Sequence, residues 1–176
     1  MSEDFSRVMK MTKGFQPLTP RFDSMPAELV VIDKWVLWRA IERGGRITKV
    51  PFAATGRPAK TNDPSTWCSF EAAKAAYNAG GYDGVGFVLD GTDGIVGVDL
   101  DKVDDHRHQP EVRAVVQALK ASGCYIEASP SGKGLRAFLF GTLPFPGANC
   151  RTLGVEIYQS GRYLTITGHD LRNAHL

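Results

Sequence analysis

Gly94-Ile95-Val96-Gly97-Val98-Asp99-Leu100-Asp101 decides how the chain folds and what it can bind. Side chains alternate between the two faces of a strand. Val96, Val98 and Leu100 therefore point one way, into a core, while Ile95, Gly97, Asp99 and Asp101 point the other. Two carboxylates at i and i+2 on one face stand roughly 6.5–7 Å apart. That spacing suits gripping a hard cation from two sides, and it is poor for a strand without a ligand because like charges repel. Leu153-Gly154-Val155-Glu156-Ile157-Tyr158 repeats the pattern, with Leu153, Val155 and Ile157 inward and Gly154, Glu156 and Tyr158 outward. In both runs a glycine precedes the acid by two residues, Gly97 before Asp99 and Gly154 before Glu156. The missing side chains are expected to leave room for a ligand beside the acids. Three carboxylates from two strands suit Mg²⁺ or Mn²⁺, completed by phosphates and water. Two such ions can activate an attacking oxygen and stabilise a leaving one. An isolated Asp-x-Asp more often only ends a strand and opens a polar turn, here Lys102 to His108, so the acids need support from elsewhere.

Cations supply it. Ser129-Pro130-Ser131-Gly132-Lys133-Gly134-Leu135-Arg136 is a turn feeding a strand. Its glycines free backbone N–H groups to approach an anion, and Ser131, Lys133 and Arg136 add donors. Neither the spacing nor a following helix matches a Walker A loop. Gly161-Arg162-Tyr163-Leu164-Thr165-Ile166-Thr167-Gly168-His169 places a cation at each end of a strand. Arg162 and His169 have opposite parity, so Gly161 or Gly168 must bend the chain if both serve one site. Lys49 and Lys60, in loop or strand-edge positions, are further candidate phosphate contacts. Asp104-Asp105-His106-Arg107-His108 is expected to be a solvated loop rather than a metal cluster.

Around these segments the chain organises as follows. Residues 1–25 are expected to form an irregular N-terminal arm, and residues 26–176 the domain. Trp35–Ala40 and Arg46–Phe52 flank Gly44-Gly45, a hairpin signal. Ser69 caps an Ala-rich helix stopped by Gly80-Gly81, and a second helix runs from Pro110 to Ala121. Strands are expected at Val85–Leu89, Tyr125–Ala128, Leu135–Phe140, Leu153–Tyr158 and Tyr163–Thr167. Two helices among about seven strands predict an α+β fold with a largely antiparallel sheet and packed helices. Phe87 and at least two of Trp35, Trp38 and Trp67 are expected in the core.

The 176 residues are 43% hydrophobic and 23% charged. That composition excludes a disordered chain. The formal charge of +2 is low for a protein holding nucleic acid by bulk electrostatics. If the chain meets phosphate, its positive charge must therefore be concentrated rather than abundant. No apolar run is long enough to span a bilayer, and the acidic start does not resemble a signal peptide. Cys68, Cys124 and Cys150 are odd in number and form no CxxC pair, which points to a reduced, cytoplasmic setting. The chain stops soon after an apolar strand, so it is expected to be a fragment of a longer protein.

Together these segments resemble the primase-polymerase (prim-pol) domain of the archaeo-eukaryotic primase superfamily, in the form found in phage and plasmid replication proteins. The likeness runs from about Trp35 to His169. Val-Glu-Ile-Tyr followed by Gly-Arg-Tyr-Leu-Thr-Ile-Thr-Gly-His is its most specific piece, and Gly81-Tyr82-Asp83-Gly84-Val85-Gly86-Phe87-Val88 is also typical. The resemblance implies a primase-like fold with an RRM-like catalytic core and a template-directed nucleotidyltransferase, a DNA primase and DNA polymerase. It implies catalytic metal ligands at Asp99, Asp101 and Glu156, and triphosphate contacts at Ser131, Lys133, Arg136, Arg162 and His169. It implies Mg²⁺ or Mn²⁺ as cofactor and single-stranded DNA and nucleoside triphosphates as partners, with a helicase domain in the parent chain as a further one and no membrane. The family's second motif usually has His where this chain has Arg136, whose fixed charge removes pH tuning there. The alternatives are a non-catalytic single-stranded DNA-binding or replication-initiation module of the same fold, and a metal-dependent nuclease.

Overall fold

Gly44 and Gly45, at φ of 57° and 76°, close a tight hairpin between β1 (Trp35–Arg43) and β2 (Arg46–Phe52). That turn is the one the dipeptide predicts. The computed structural model describes residues 14–174, so the first part of the expected 1–25 arm lies outside the described residues. Seven further strands follow: β3 (Gly84–Asp90), β4 (Ile95–Leu100), β5 (Tyr125–Ala128), β6 (Leu135–Phe140), β7 (Gly147–Cys150), β8 (Val155–Tyr158) and β9 (Ser160–Ile166). Helices are α1 (Ala27–Val30), α2 (Phe70–Asn78), α3 (Val103–His106) and α4 (Pro110–Ser122). The Ser69 hydroxyl accepts the Ala72 N–H at 3.2 Å to cap α2, and α4 ends on left-handed Gly123. Both are common helix-end devices.

The fold is α+β and antiparallel, with a difference from expectation. Two sheets form instead of one, in the orders β2-β1-β3-β9 and β5-β6-β4-β8-β7. All their pairings are antiparallel. Period-two alternation tells which residues share a face but not which strands pair, so the split is invisible in the sequence. Two strand starts also differ, and one strand is new. β8 begins at Val155 because Gly154 is left-handed, at φ 65°. β9 begins at Ser160, three residues before the expected start, with a register shift against β3 at Asp90. The exposed β7 has no apolar alternation to announce it.

One layer of core lies between the sheets, where Trp35, Leu37, Phe87, Leu89 and Leu164 meet Ile95 and Phe138. A second lies where Val112 and Leu119 of α4 cover Val98, Leu100, Ile126 and Ala137. Trp35, Trp38 and Phe87 are buried, as their surroundings suggest. Among the described residues no helix is long and apolar enough to cross a membrane.

The two glycines beside the acids do not leave ligand space. A Cβ on Gly97 would lie 2.4 Å from Leu164 Cδ1 and 2.7 Å from Leu89 Cδ1, so the gap is filled by the facing sheet. A Cβ on Gly154 would meet the Asp101 carbonyl oxygen at 2.8 Å, and Gly154 lies outside β8 altogether. The face that carries Ile95 and Gly97 is therefore an inter-sheet contact. Gly97→Ala should cost about 1–3 kcal/mol in urea unfolding through overpacking. An unchanged midpoint would mean that the space at Gly97 is free after all.

Candidate active site

Strand register assembles the site. Asn149 opposes Glu156, Glu156 opposes Asp99, Asp99 opposes Arg136, and Arg136 opposes Glu127. Directly opposed residues share a face. One row of polar side chains therefore crosses all five strands of the second sheet, on the side that packs against the first. Two residues back along β4, at Gly97, that face is sealed by Leu89 and Leu164. At Asp99 it opens, leaving Asp99 and Glu156 half-buried and Asp101 exposed.

Each strand acid is held. Arg136 donates from Nε to Asp99 Oδ1 at 3.4 Å and from a terminal nitrogen to Oδ2 at 3.2 Å. Glu156 accepts from Asn149 Nδ2 at 2.7 Å and from the Tyr158 hydroxyl at 3.0 Å. Asp101 differs from expectation: β4 ends at Leu100, and Asp101 opens the turn, with its N–H on the Gly154 carbonyl at 2.8 Å and left-handed Lys102 after it. Strand parity therefore does not govern where Asp101 points. Among the described residues, no three His, Cys, Asp or Glu side chains already converge as a metal cage. The donor set nonetheless fits a hard cation. It is all oxygen, with the Asp99 and Glu156 positions directly opposed on neighbouring strands.

The other half of the row reaches the first sheet. Arg136, only 5% exposed, also donates to the Thr165 carbonyl at 3.2 Å. Glu127, fully buried, accepts the Thr167 N–H at 2.9 and 3.0 Å, the Gly168 N–H at 2.8 Å and the Tyr125 hydroxyl at 2.9 Å. Burial pushes the Glu127 carboxyl up to about 7, against the pull of those donors and of Arg136. Desolvation here outweighs hydrogen bonding to the charged form. Glu127 is not singled out by the sequence. Its one signal is an acid inside the apolar run Tyr125–Ala128.

The remaining cations divide. The Arg162 guanidinium lies 4.9 Å from the centre of the Tyr158 ring, and so borders Glu156 through that tyrosine. Both Gly161 and Gly168 are left-handed, so the chain bends at each end of this segment. The His169 ring, however, is engaged by the Thr19 carbonyl, 2.9 Å from Nε2. The stretch 14–21 has irregular backbone yet is fastened to the domain. Leu18 N–H donates to Pro130 O and Arg21 N–H to Thr167 O, each at 2.8 Å. Ser131 and Lys133 are exposed on the turn after β5, where the Ser131 hydroxyl accepts the Lys133 N–H at 3.3 Å. That turn abuts the end of β4, since a Cβ on Gly134 would touch the Leu100 carbonyl at 2.5 Å. Lys49 enters from the first sheet, its carbonyl accepting the Tyr163 hydroxyl at 2.6 Å. Burial, then repulsion from Arg136, lowers the affinity of its amine for a proton, while Asp99 and Asp101 act the other way. His106 and its acidic neighbours form the short α3 rather than a loop, with Asp104 and Asp105 exposed and His106 half-buried near Gly154.

No family model matches the chain. A protein called DNA Primase-polymerase, from Nitratiruptor phage NrS-1, is 36% identical to it over 144 residues. The match covers 77% of this chain, and the chain spans 19% of that relative. The chain carries a primase-polymerase (prim-pol) domain. The antiparallel α+β architecture is compatible with a primase-like fold.

In this prim-pol domain Glu127 makes stability depend on pH. A carboxyl whose folded pKa is raised from 4.5 to about 7 binds its proton more tightly when folded. Its contribution is therefore complete below about 4.5 and lost as pH rises through about 7. Unfolding free energy, and with it melting temperature, should fall between about pH 5 and about pH 8, the free energy by at most about 1.4 kcal/mol per pH unit from this group. Glu127→Gln should flatten that slope. An equally steep profile in the variant would assign the dependence to another group.

Proposed function

We propose that the chain is the catalytic part of a template-directed nucleotidyltransferase, with DNA primase and DNA polymerase activity on single-stranded DNA. It extends a 3′-hydroxyl from nucleoside triphosphates, or joins two nucleotides to begin a primer. The observation that carries this reading is the opposed pair Asp99 and Glu156 on β4 and β8, with Asp101 exposed in the turn that ends β4. The name of the phage relative supports it.

Asp99, Asp101 and Glu156 are the proposed ligands of Mg²⁺ or Mn²⁺. Such ions, when bound, ease deprotonation of the attacking hydroxyl and neutralise the departing pyrophosphate. The chain's own contribution is preorganisation. Arg136 steadies Asp99, and Asn149 with Tyr158 steadies Glu156. Less orientational freedom is then lost when substrate arrives. Lys133 and Arg162 have exposed side chains. With the Ser131 hydroxyl and the backbone N–H groups of the turn, they are the proposed triphosphate contacts. His169 joins them by exchanging the Thr19 carbonyl for phosphate. Arg136 contributes its charge from beneath while it stays bonded to the protein. Because the chain spans 19% of its relative, a helicase region of a longer parent chain is proposed as a partner in priming.

Primer synthesis and extension on single-stranded DNA is the test. Incorporation should require Mg²⁺ or Mn²⁺ and fall by more than about a hundredfold in Asp99→Asn and in Glu156→Gln. Undiminished incorporation in these variants would sink the acid assignment. DNA binding with no incorporation by the intact chain would make it a replication-initiation module instead.

A further inference from the structure

Arg136 is placed where a cation for the acids would have to compete with it. Its fork engages both oxygens of Asp99, through Nε at 3.4 Å and a terminal nitrogen at 3.2 Å. Each carboxylate oxygen therefore already accepts one hydrogen bond from Arg136, which leaves it one lone pair and a neighbouring positive charge that an incoming ion must face. The pair is largely shielded, with the arginine side chain 6% exposed and the aspartate side chain 21%. Shielding strengthens such a pair and raises the cost of leaving either partner alone. The remaining guanidinium nitrogen is tied to the Thr165 carbonyl at 3.2 Å, so Arg136 is anchored from the first sheet and does not swing away freely. On its other side Asp99 faces Glu156 across β4 and β8. A carboxylate opposed to another needs positive charge, and Arg136 is the cation bonded to it.

We infer that Arg136 is a positioning residue that acts as an internal counterion, holding Asp99 and competing with the divalent cation for it. Metal uptake is then coupled to Asp99 giving up at least one of its two bonds to Arg136. The anchored guanidinium, still charged and still close, weakens the hold of the acids on the ion. Arg136 thus trades metal affinity for an ordered site in the absence of metal. This inference rests on the proposed metal role of the acids.

Mn²⁺ binding to the intact chain, followed by calorimetry or by the electron spin resonance of free Mn²⁺, tests it. Three proteins are compared: the natural chain, Arg136→Met, which keeps length without charge, and Arg136→Lys, which keeps charge without the fork. Competition with a charged, bidentate hydrogen-bonded pair predicts Mn²⁺ binding about ten- to a hundredfold tighter in Arg136→Met. It predicts a smaller gain, still in the tighter direction, in Arg136→Lys. The Met variant should also melt lower in chelator and recover more of its melting temperature on Mn²⁺ addition than the natural chain. Equal or weaker Mn²⁺ binding by a folded Arg136→Met overturns the inference. Should that variant fail to fold, equal or weaker binding by Arg136→Lys overturns it. Absence of Mn²⁺ binding in all three overturns it together with the metal assignment. Nucleotide incorporation by the natural chain reads the functional proposal separately. Incorporation with unchanged Mn²⁺ affinities removes the competition alone, and tighter binding without incorporation removes the polymerase reading alone.

Discussion

β9 is an edge strand, and its free side and exit would leave the Thr165 carbonyl and the Thr167 and Gly168 amides facing the protein interior. Unsatisfied, such groups cost about 1–3 kcal/mol each. Arg136 and Glu127, neighbours on β6 and β5, supply the missing donor and acceptors from the other sheet. Both are buried. Each is tolerable there only because its bonds are made. The relation between the two sheets depends on this exchange. So does the cleft, because the same polar row continues from Arg136 to Asp99 and Glu156. Site and inter-sheet joint are therefore one structure, and a change at either end is felt at the other.

How much of this is legible in the sequence follows from what periodicity encodes. Alternation in Ile95–Leu100 correctly assigns Val98 and Leu100 to the helix-covered face and Asp99 to the opposite one. The Gly44-Gly45 turn, the Ser69 cap and the Pro110 start are local signals and need no tertiary knowledge. Register is different. Nothing local says that Arg136 opposes Asp99 and bonds to it. Gly97 misleads for the same reason: an empty position on the acid's face suggests ligand space, when Leu89 and Leu164 of another sheet fill it. Glu127 looks like any solvent-facing acid on a strand until the amides after β9 are seen on it. Asp101 shows the limit of parity, since β4 ends one residue earlier.

The modest total of +2 conceals local pairing of opposite charges. Asp99, Asp101 and Glu156 are answered locally by Arg136 and Lys49, with Arg162 and Lys133 at the margin. Bulk charge contributes little, so DNA binding by this domain alone should be weak and salt-sensitive. A site organised around metal and nucleotide is consistent with that economy, and so is a domain spanning a small share of its relative.

Anomalous diffraction from crystals of the chain grown with Mn²⁺ and a non-hydrolysable nucleoside triphosphate tests the central claim most directly. The account predicts Mn²⁺ between Asp99, Asp101 and Glu156, with Asp99 released from at least one nitrogen of Arg136 while Arg136 keeps the Thr165 carbonyl. Mn²⁺ bound away from these acids, or bound to Asp99 with both Arg136 contacts intact, would contradict it.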